Sequence, residues 1–173
     1  MKIAFIVLAT ALSLLASGDY SNRRAPGFSL TDSHYQQHDP QDYRGKVLLI
    51  DIMATGCPYC ARLVDTLVEL KAKYGDKLAI ISVVTAPDNF QTGDAFVAQH
   101  GITWPLVFDM GQMIASYLKV TPSSPGVHFP HLFVIDGSGA IRNDFGAEDG
   151  EALTAARLAA EIDELSKIDK PSK

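Results

Sequence analysis

Cys57 and Cys60 are the only cysteines in the chain, and they stand three residues apart in Cys57-Pro58-Tyr59-Cys60. That spacing suits reversible thiol-disulfide chemistry. A bridge across so short a loop removes little entropy from the unfolded chain, so a structural staple is the weaker use of the pair. Where the first cysteine opens a helix, its sulfur meets unpaired backbone N–H groups and the positive end of the helix dipole, and both favour a thiolate. Cys57 is therefore the expected attacking thiol, with Cys60 one turn deeper. Pro58 falls at the first helical position, where its missing N–H costs nothing.

These roles need a strand that delivers the dithiol and a helix that carries it. Val47 to Met53 is an apolar, partly β-branched run long enough for a buried strand. From Pro58 the pattern turns helical. Cys60, Leu63, Val64, Leu67, Leu70 and Tyr74 share one face, Arg62, Asp65, Glu69 and Lys73 fall elsewhere, and Gly75 is the stop. The arrangement buries Cys60 and leaves Cys57 accessible. Leu78 to Val84 reads as the next central strand, completing a right-handed βαβ unit. The dithiol then lies at the carboxyl end of the first strand, where sites in open α/β sheets sit. Asp51 is the one charged residue in that strand. Burial raises the proton affinity of a carboxylate toward the range useful for proton transfer, which makes Asp51 a candidate general base for Cys60. The alternative is a strand residue facing a solvated cleft.

The remaining chain divides simply. Residues 1–18 read as an export signal: Lys2, an apolar core from Ile3 to Leu15, and the small residues Ala16-Ser17-Gly18. The core is shorter than the roughly 20 residues of a spanning helix, so a retained anchor is the weaker reading. Removal of those 18 residues leaves 155 of the 173, a length for one domain, and takes the formal charge from −5 to −6. An acidic balance argues against nucleic acid or anionic membrane surfaces as partners, and no stable membrane insertion is expected after cleavage. Residues 19–24 read as a flexible stub, 25–166 as the folded domain and 167–173 as a flexible tail. Within the domain, Ala25 to Asp32 suggests an N-terminal hairpin or edge strand, and His34 and His38 read as solvated loop residues. Further on come a helix at Thr92–His100, a strand at Trp104–Phe108 and a short helix at Gln112–Leu118. A breaker-rich loop follows at 121–126, then strands at Leu132–Ile135 and Ala140–Asn143 and a helix at Glu151–Leu165. Pro130 opens the first of these last strands, a position where a cis bond is a common reason for proline.

From Pro26 to Leu165 the chain resembles the TlpA/ResA-like thiol-disulfide oxidoreductases of the thioredoxin fold. The resemblance rests on Ala25-Pro26-Gly27-Phe28, on Ala54-Thr55 ahead of the Cys57-Pro58-Tyr59-Cys60 motif, and on Phe129-Pro130 before Leu132-Phe133-Val134-Ile135-Asp136-Gly137. It implies an α/β architecture: a central mixed sheet flanked by helices, with an N-terminal hairpin extension and a helical insertion. It also implies that Cys57 attacks, Cys60 resolves, Asp51 moves a proton for Cys60, and Pro130 is a cis-proline facing the dithiol. Gly56, Pro58, Tyr59 and Phe129 are then the residues that meet a docked substrate. Gly56 and Met53 stand where the family commonly has aromatic residues, and Phe129 is bulkier than its usual counterpart.

Two other chemistries are weighed. A peroxidase of the peroxiredoxin type places a threonine three residues before its reactive cysteine and a proline seven before; here these are Ala54 and Ile50. The stronger rival is copper delivery, with His128 and also His131 joining Cys57 and Cys60 around a soft metal. The preferred reading is an exported, periplasmic or otherwise secreted, oxidoreductase. Its partners are protein thiols and disulfides and a redox partner protein, and its own redox centre, Cys57 and Cys60, takes the place of any cofactor.

Overall fold

In the computed structural model, which describes residues 18–150 and 153–168, twelve helices and strands follow in order. They are β1 (Arg23–Arg24), β2 (Leu30–Thr31), β3 (Gln37–His38), β4 (Val47–Ile52), α1 (Pro58–Tyr74) and β5 (Leu78–Thr85), then α2 (Phe90–His100), β6 (Leu106–Asp109), α3 (Gln112–Tyr117), β7 (His131–Ile135), β8 (Ala140–Phe145) and α4 (Ala155–Ile168). Six of the strands form one mixed sheet in the order β1-β8-β7-β4-β5-β6, and β2 and β3 form a separate hairpin. Strand β4 is parallel to β5 and antiparallel to β7.

Alternation along the strands sorts side chains onto two faces. Val47, Leu49 and Met53 of β4 and its end join Leu78, Ile80 and Val84 of β5 under α1, α2 and α4. Leu48, Ile50 and Ile52 join Ala79, Ile81 and Val83 on the other face, against Met113, Ile114 and Tyr117 of α3. Asp51 and Ser82, by the same alternation, lie on the face of α1. That helix starts and stops where its local chemistry dictates: Cys57 is the cap, Pro58 the first helical residue, and Gly75 ends it at φ 56°. Its buried face is Cys60, Leu63, Val64, Leu67 and Leu70, and each full leucine burial contributes about 2 kcal/mol.

Several expectations need correcting. Residues 19–24 are not a free stub. Arg23 and Arg24 pair with Ile141 and Ala140 as the edge strand of the sheet, while the Tyr20 N–H and the Ser21 hydroxyl donate to Asp144 Oδ1. Their polar sequence carries no periodicity, and their partners are over 110 residues away. Helix α2 begins two residues early because Asn89 caps it reciprocally with Thr92. Trp104 lies outside β6, which starts at Leu106. His38 is not solvated; it pairs with Asp32 at 3.0 Å. Helix α4 reaches Ile168, so Lys167 and Ile168 do not belong to a tail. Residues 1–17 of the expected export signal, residues 169–173 of the tail, and the proposed start of the last helix at Glu151 lie outside the described residues.

Candidate active site

Cys57 sits half-buried at the first turn of α1, and Cys60 is fully buried below it. The Cys57 sulfur accepts the backbone N–H of Cys60 at 3.3 Å, so it caps the helix with an atom that is best at this task when ionised. On its other side the sulfur lies 3.9 Å from the carbonyl oxygen of Phe129. The Phe129–Pro130 peptide is cis, as is Ala86–Pro87. The loop before β7 thus stands directly against the Cys57 sulfur, with Phe129 half-buried between both apolar clusters and Pro130 buried beside it.

Asp51 is fully buried, and burial pushes its carboxyl up to about 7, against a smaller opposing effect from the hydrogen bond of Ser82. The thiol of Cys60 is pushed well above the ordinary range, chiefly by burial and then by its hydrogen bond with Cys57, with the charges of Asp51 and Cys57 adding to the rise. Two of those causes come from Cys57.

Of the expected docking residues, Gly56, Pro58 and Tyr59 are exposed around the sulfur. A side chain at Gly56 would meet nothing within 4 Å, so the surface there is open rather than filled by a neighbour. Tyr59 is 62% exposed, and the Arg62 guanidinium lies over its ring at 4.4 Å. Tyr59 and Pro130 share an open groove of about 630 Å³ with Arg62, Leu63, Glu148 and Leu153.

The histidines do not converge on the dithiol as a set. His131 pairs with Asp144 at 3.1 Å and packs on Phe133, on the sheet face opposite α1. That position removes it from any ligand set containing Cys60. His128 is exposed in the loop. Among the described residues no group of three or more His, Cys, Asp or Glu side chains is placed to hold a metal ion.

Sequence reasoning missed three parts of the site. Ser82 faces Asp51 across the β4–β5 ladder and donates to its Oδ2 at 3.3 Å. The signal was there: a serine inside the otherwise apolar run Leu78–Val84. Trp104 donates its indole N–H to Ser82 at 2.9 Å, and nothing local foretells it. Asp88, after β5, accepts both the backbone N–H of Thr55 (2.9 Å) and the Thr55 hydroxyl, and so ties down the turn that enters Cys57. Asp88→Ala is expected to destabilise the fold by about 1–2 kcal/mol by orphaning the Thr55 donors. It should also slow disulfide exchange several-fold, as read from urea unfolding and insulin-reduction rates.

A mixed sheet between helix layers, with a cysteine pair opening the helix after its central parallel strand, defines the thioredoxin-like class. The Redoxin family profile matches residues 20–162. The chain belongs to the Redoxin family, and it is similar to ResA-type thiol-disulfide oxidoreductases. It is 27% identical to the thioredoxin-like protein YneN of Bacillus subtilis (strain 168), over 73% of this chain and 71% of that one. It is 29% identical to the thiol-disulfide oxidoreductase ResA of Geobacillus kaustophilus (strain HTA426), over 68% of this chain and 64% of that one, less than two thirds of the relative's length. Among solved structures, a thiol:disulfide interchange protein of the thioredoxin family from Chlorobium tepidum TLS superposes with a TM-score of 0.70 at 17% identity, covering 83% of this chain and 96% of that one. That likeness is one of fold.

Proposed function

We propose that the protein is an exported thiol-disulfide oxidoreductase that exchanges disulfides with partner proteins through Cys57 and Cys60. The observation that carries this reading is the Cys57 sulfur, held between the Cys60 N–H and the Phe129 carbonyl while the second sulfur lies buried beneath it. The Cys57 thiolate attacks one sulfur of a partner disulfide. A Cys57–partner bond forms, the partner's S–S bond breaks, and the released partner thiolate takes a proton from water. Cys60 then gives its proton to Asp51 and attacks Cys57 Sγ. The Cys57–Cys60 bond forms, the second partner sulfur leaves as a thiol, and two electrons have passed to the partner. The reverse sequence donates a disulfide.

The coupling of the two steps is built into the site. While Cys57 is free, it helps hold the proton on Cys60; once Cys57 is bound to a partner, that restraint is gone and Asp51 can accept the proton. Pro130, beside the sulfur, and the groove with Tyr59 form the wall along which the partner chain lies. Export rests on the sequence of residues 1–18; the electron balance requires a two-electron reductant to restore the dithiol, a role we assign to a redox partner protein. Cys60→Ser tests the scheme: the first step survives and the second does not. Incubation with a disulfide substrate should yield a covalent complex through Cys57, seen as added mass that dithiothreitol removes. Full turnover in this variant would overturn the two-step exchange.

A further inference from the structure

The two carboxyl oxygens of Asp51 have unequal surroundings. Oδ2 accepts the hydrogen bond of Ser82, whereas Oδ1 is buried with no hydrogen-bond partner among the described residues. Trp104 Nε1 lies 2.9 Å from Ser82 Oγ. An indole nitrogen only donates, and a serine hydroxyl has a single hydrogen. Ser82 Oγ therefore accepts from Trp104, and its own hydrogen is left for Asp51. We infer that Ser82 and Trp104 are positioning residues that decide which oxygen of Asp51 carries the mobile proton: Oδ2 is occupied by a fixed donor, so the proton is taken up and released at Oδ1.

This inference rests on the reading of Asp51 as the proton carrier for Cys60. All the groups concerned share one face of the sheet. Trp104 and Cys60 belong to the same apolar cluster, and Asp51 and Ser82 alternate in register with its strand residues. The arrangement has a chemical use. A carboxylate whose two oxygens were equally free would offer its proton in two directions, whereas one pinned through Oδ2 presents a single basic atom. Elements packed on Asp51 present Ser82 from β5, Leu132 from β7 and Cys60 from α1, with Cys57 beyond it. Of these the two cysteines titrate, and neither does so in the disulfide form. The Ser82–Asp51 distance of 3.3 Å is long for a hydroxyl–carboxylate bond, so its expected effect lies at the low end for hydrogen bonds to charged groups.

The test follows the infrared band of the protonated Asp51 carboxyl, assigned by its loss in Asp51→Asn, against pH in the oxidised protein. Ser82→Ala should raise the midpoint by about one pH unit, a tenfold gain in proton affinity. Trp104→Phe should raise it by less, since the hydroxyl remains but is free to turn away. In the Ser82→Ala background Trp104→Phe should add nothing, because the indole acts only through the hydroxyl. An unchanged midpoint in Ser82→Ala overturns the inference, as does a Trp104→Phe effect that adds in full to that of Ser82→Ala. Ser82→Ala removes one oxygen atom and decides the matter alone if Trp104→Phe does not fold. The underlying reading fails in a different way: there, Asp51→Asn leaves the pH dependence of the Cys60 step unaltered. If Asp51→Asn flattens that dependence while Ser82→Ala leaves the midpoint in place, only the positioning role is lost.

Discussion

Cys57→Ser is expected to abolish disulfide exchange in both directions, with insulin reduction falling by about three orders of magnitude or more because the covalent route is lost. The nucleophile in this chemistry is a thiolate, and a serine hydroxyl is neither ionised near neutral pH nor able to form the covalent intermediate. The Cys57 sulfur caps α1 by accepting the Cys60 N–H at 3.3 Å, a contact that a serine oxygen can also make. The fold should be unaffected, because a serine oxygen is itself a good helix cap and can take the same N–H. Loss of activity at unchanged unfolding midpoint is thus the expected pair of results. Retained exchange in Cys57→Ser would place the attacking sulfur elsewhere, and Cys60 is the only other one available as a thiol.

Asp51→Asn is expected to slow the Cys60 step by about one hundredfold at neutral pH, the low end of what a positioned general base contributes, and at the same time to stabilise the protein. Burial raises the carboxyl from 3.8 to about 7. The native state therefore holds this proton more tightly than the unfolded chain does. Below about pH 4 the residue is neutral in both states and the full stability is present. Between about pH 4 and 7 the unfolded chain ionises this group while the native protein keeps its proton, so stability falls by up to about 4 kcal/mol across that window and no further above it. Asparagine has no charge to bury, so the variant should lose this decline: equal to the parent near pH 4 and more stable at pH 8 by urea unfolding. In the parent the resolving rate should climb with pH through about 7, as Asp51 loses its proton and becomes a base; in the variant that rise disappears. A stability difference between Asp51→Asn and the parent that is the same at pH 4 and pH 8 would contradict the buried carboxyl, since the other carboxylates cancel in that difference. The opposed signs, activity down and stability up, separate a functional carboxylate from one kept for packing.

The parts of this protein that were legible in its sequence are those set by neighbours along the chain. The bounds of α1, Pro58 to Tyr74, follow from a capping cysteine, a proline at the first helical position, a 3.6-residue apolar repeat and a glycine stop, all within twenty residues. The same period buries Cys60 and exposes Cys57, and the otherwise unbroken apolar run of β4 marks Asp51 as the acid within it. The order strand, helix, strand placed the dithiol at the end of its first central strand, and the family resemblance carried by the motifs implied a mixed sheet between helices.

What only the tertiary structure decided lies across gaps that no local pattern spans. Ser82 meets Asp51, and Trp104 meets Ser82, at separations of 31 and 22 residues. Asp88 holds Thr55 from 33 residues away, and Arg23 and Arg24 complete the sheet against a strand near the other end of the chain. The register of β7 turns His131 to the face away from the dithiol. Hydrophobic periodicity encodes which face of an element is buried, because burial depends on one residue at a time. Which polar groups meet inside is settled by strand register and loop path, and these are chosen by the packing of the whole core. The two sulfurs were therefore readable from the chain itself, while the hydrogen bonds that orient Asp51 beneath them required the fold.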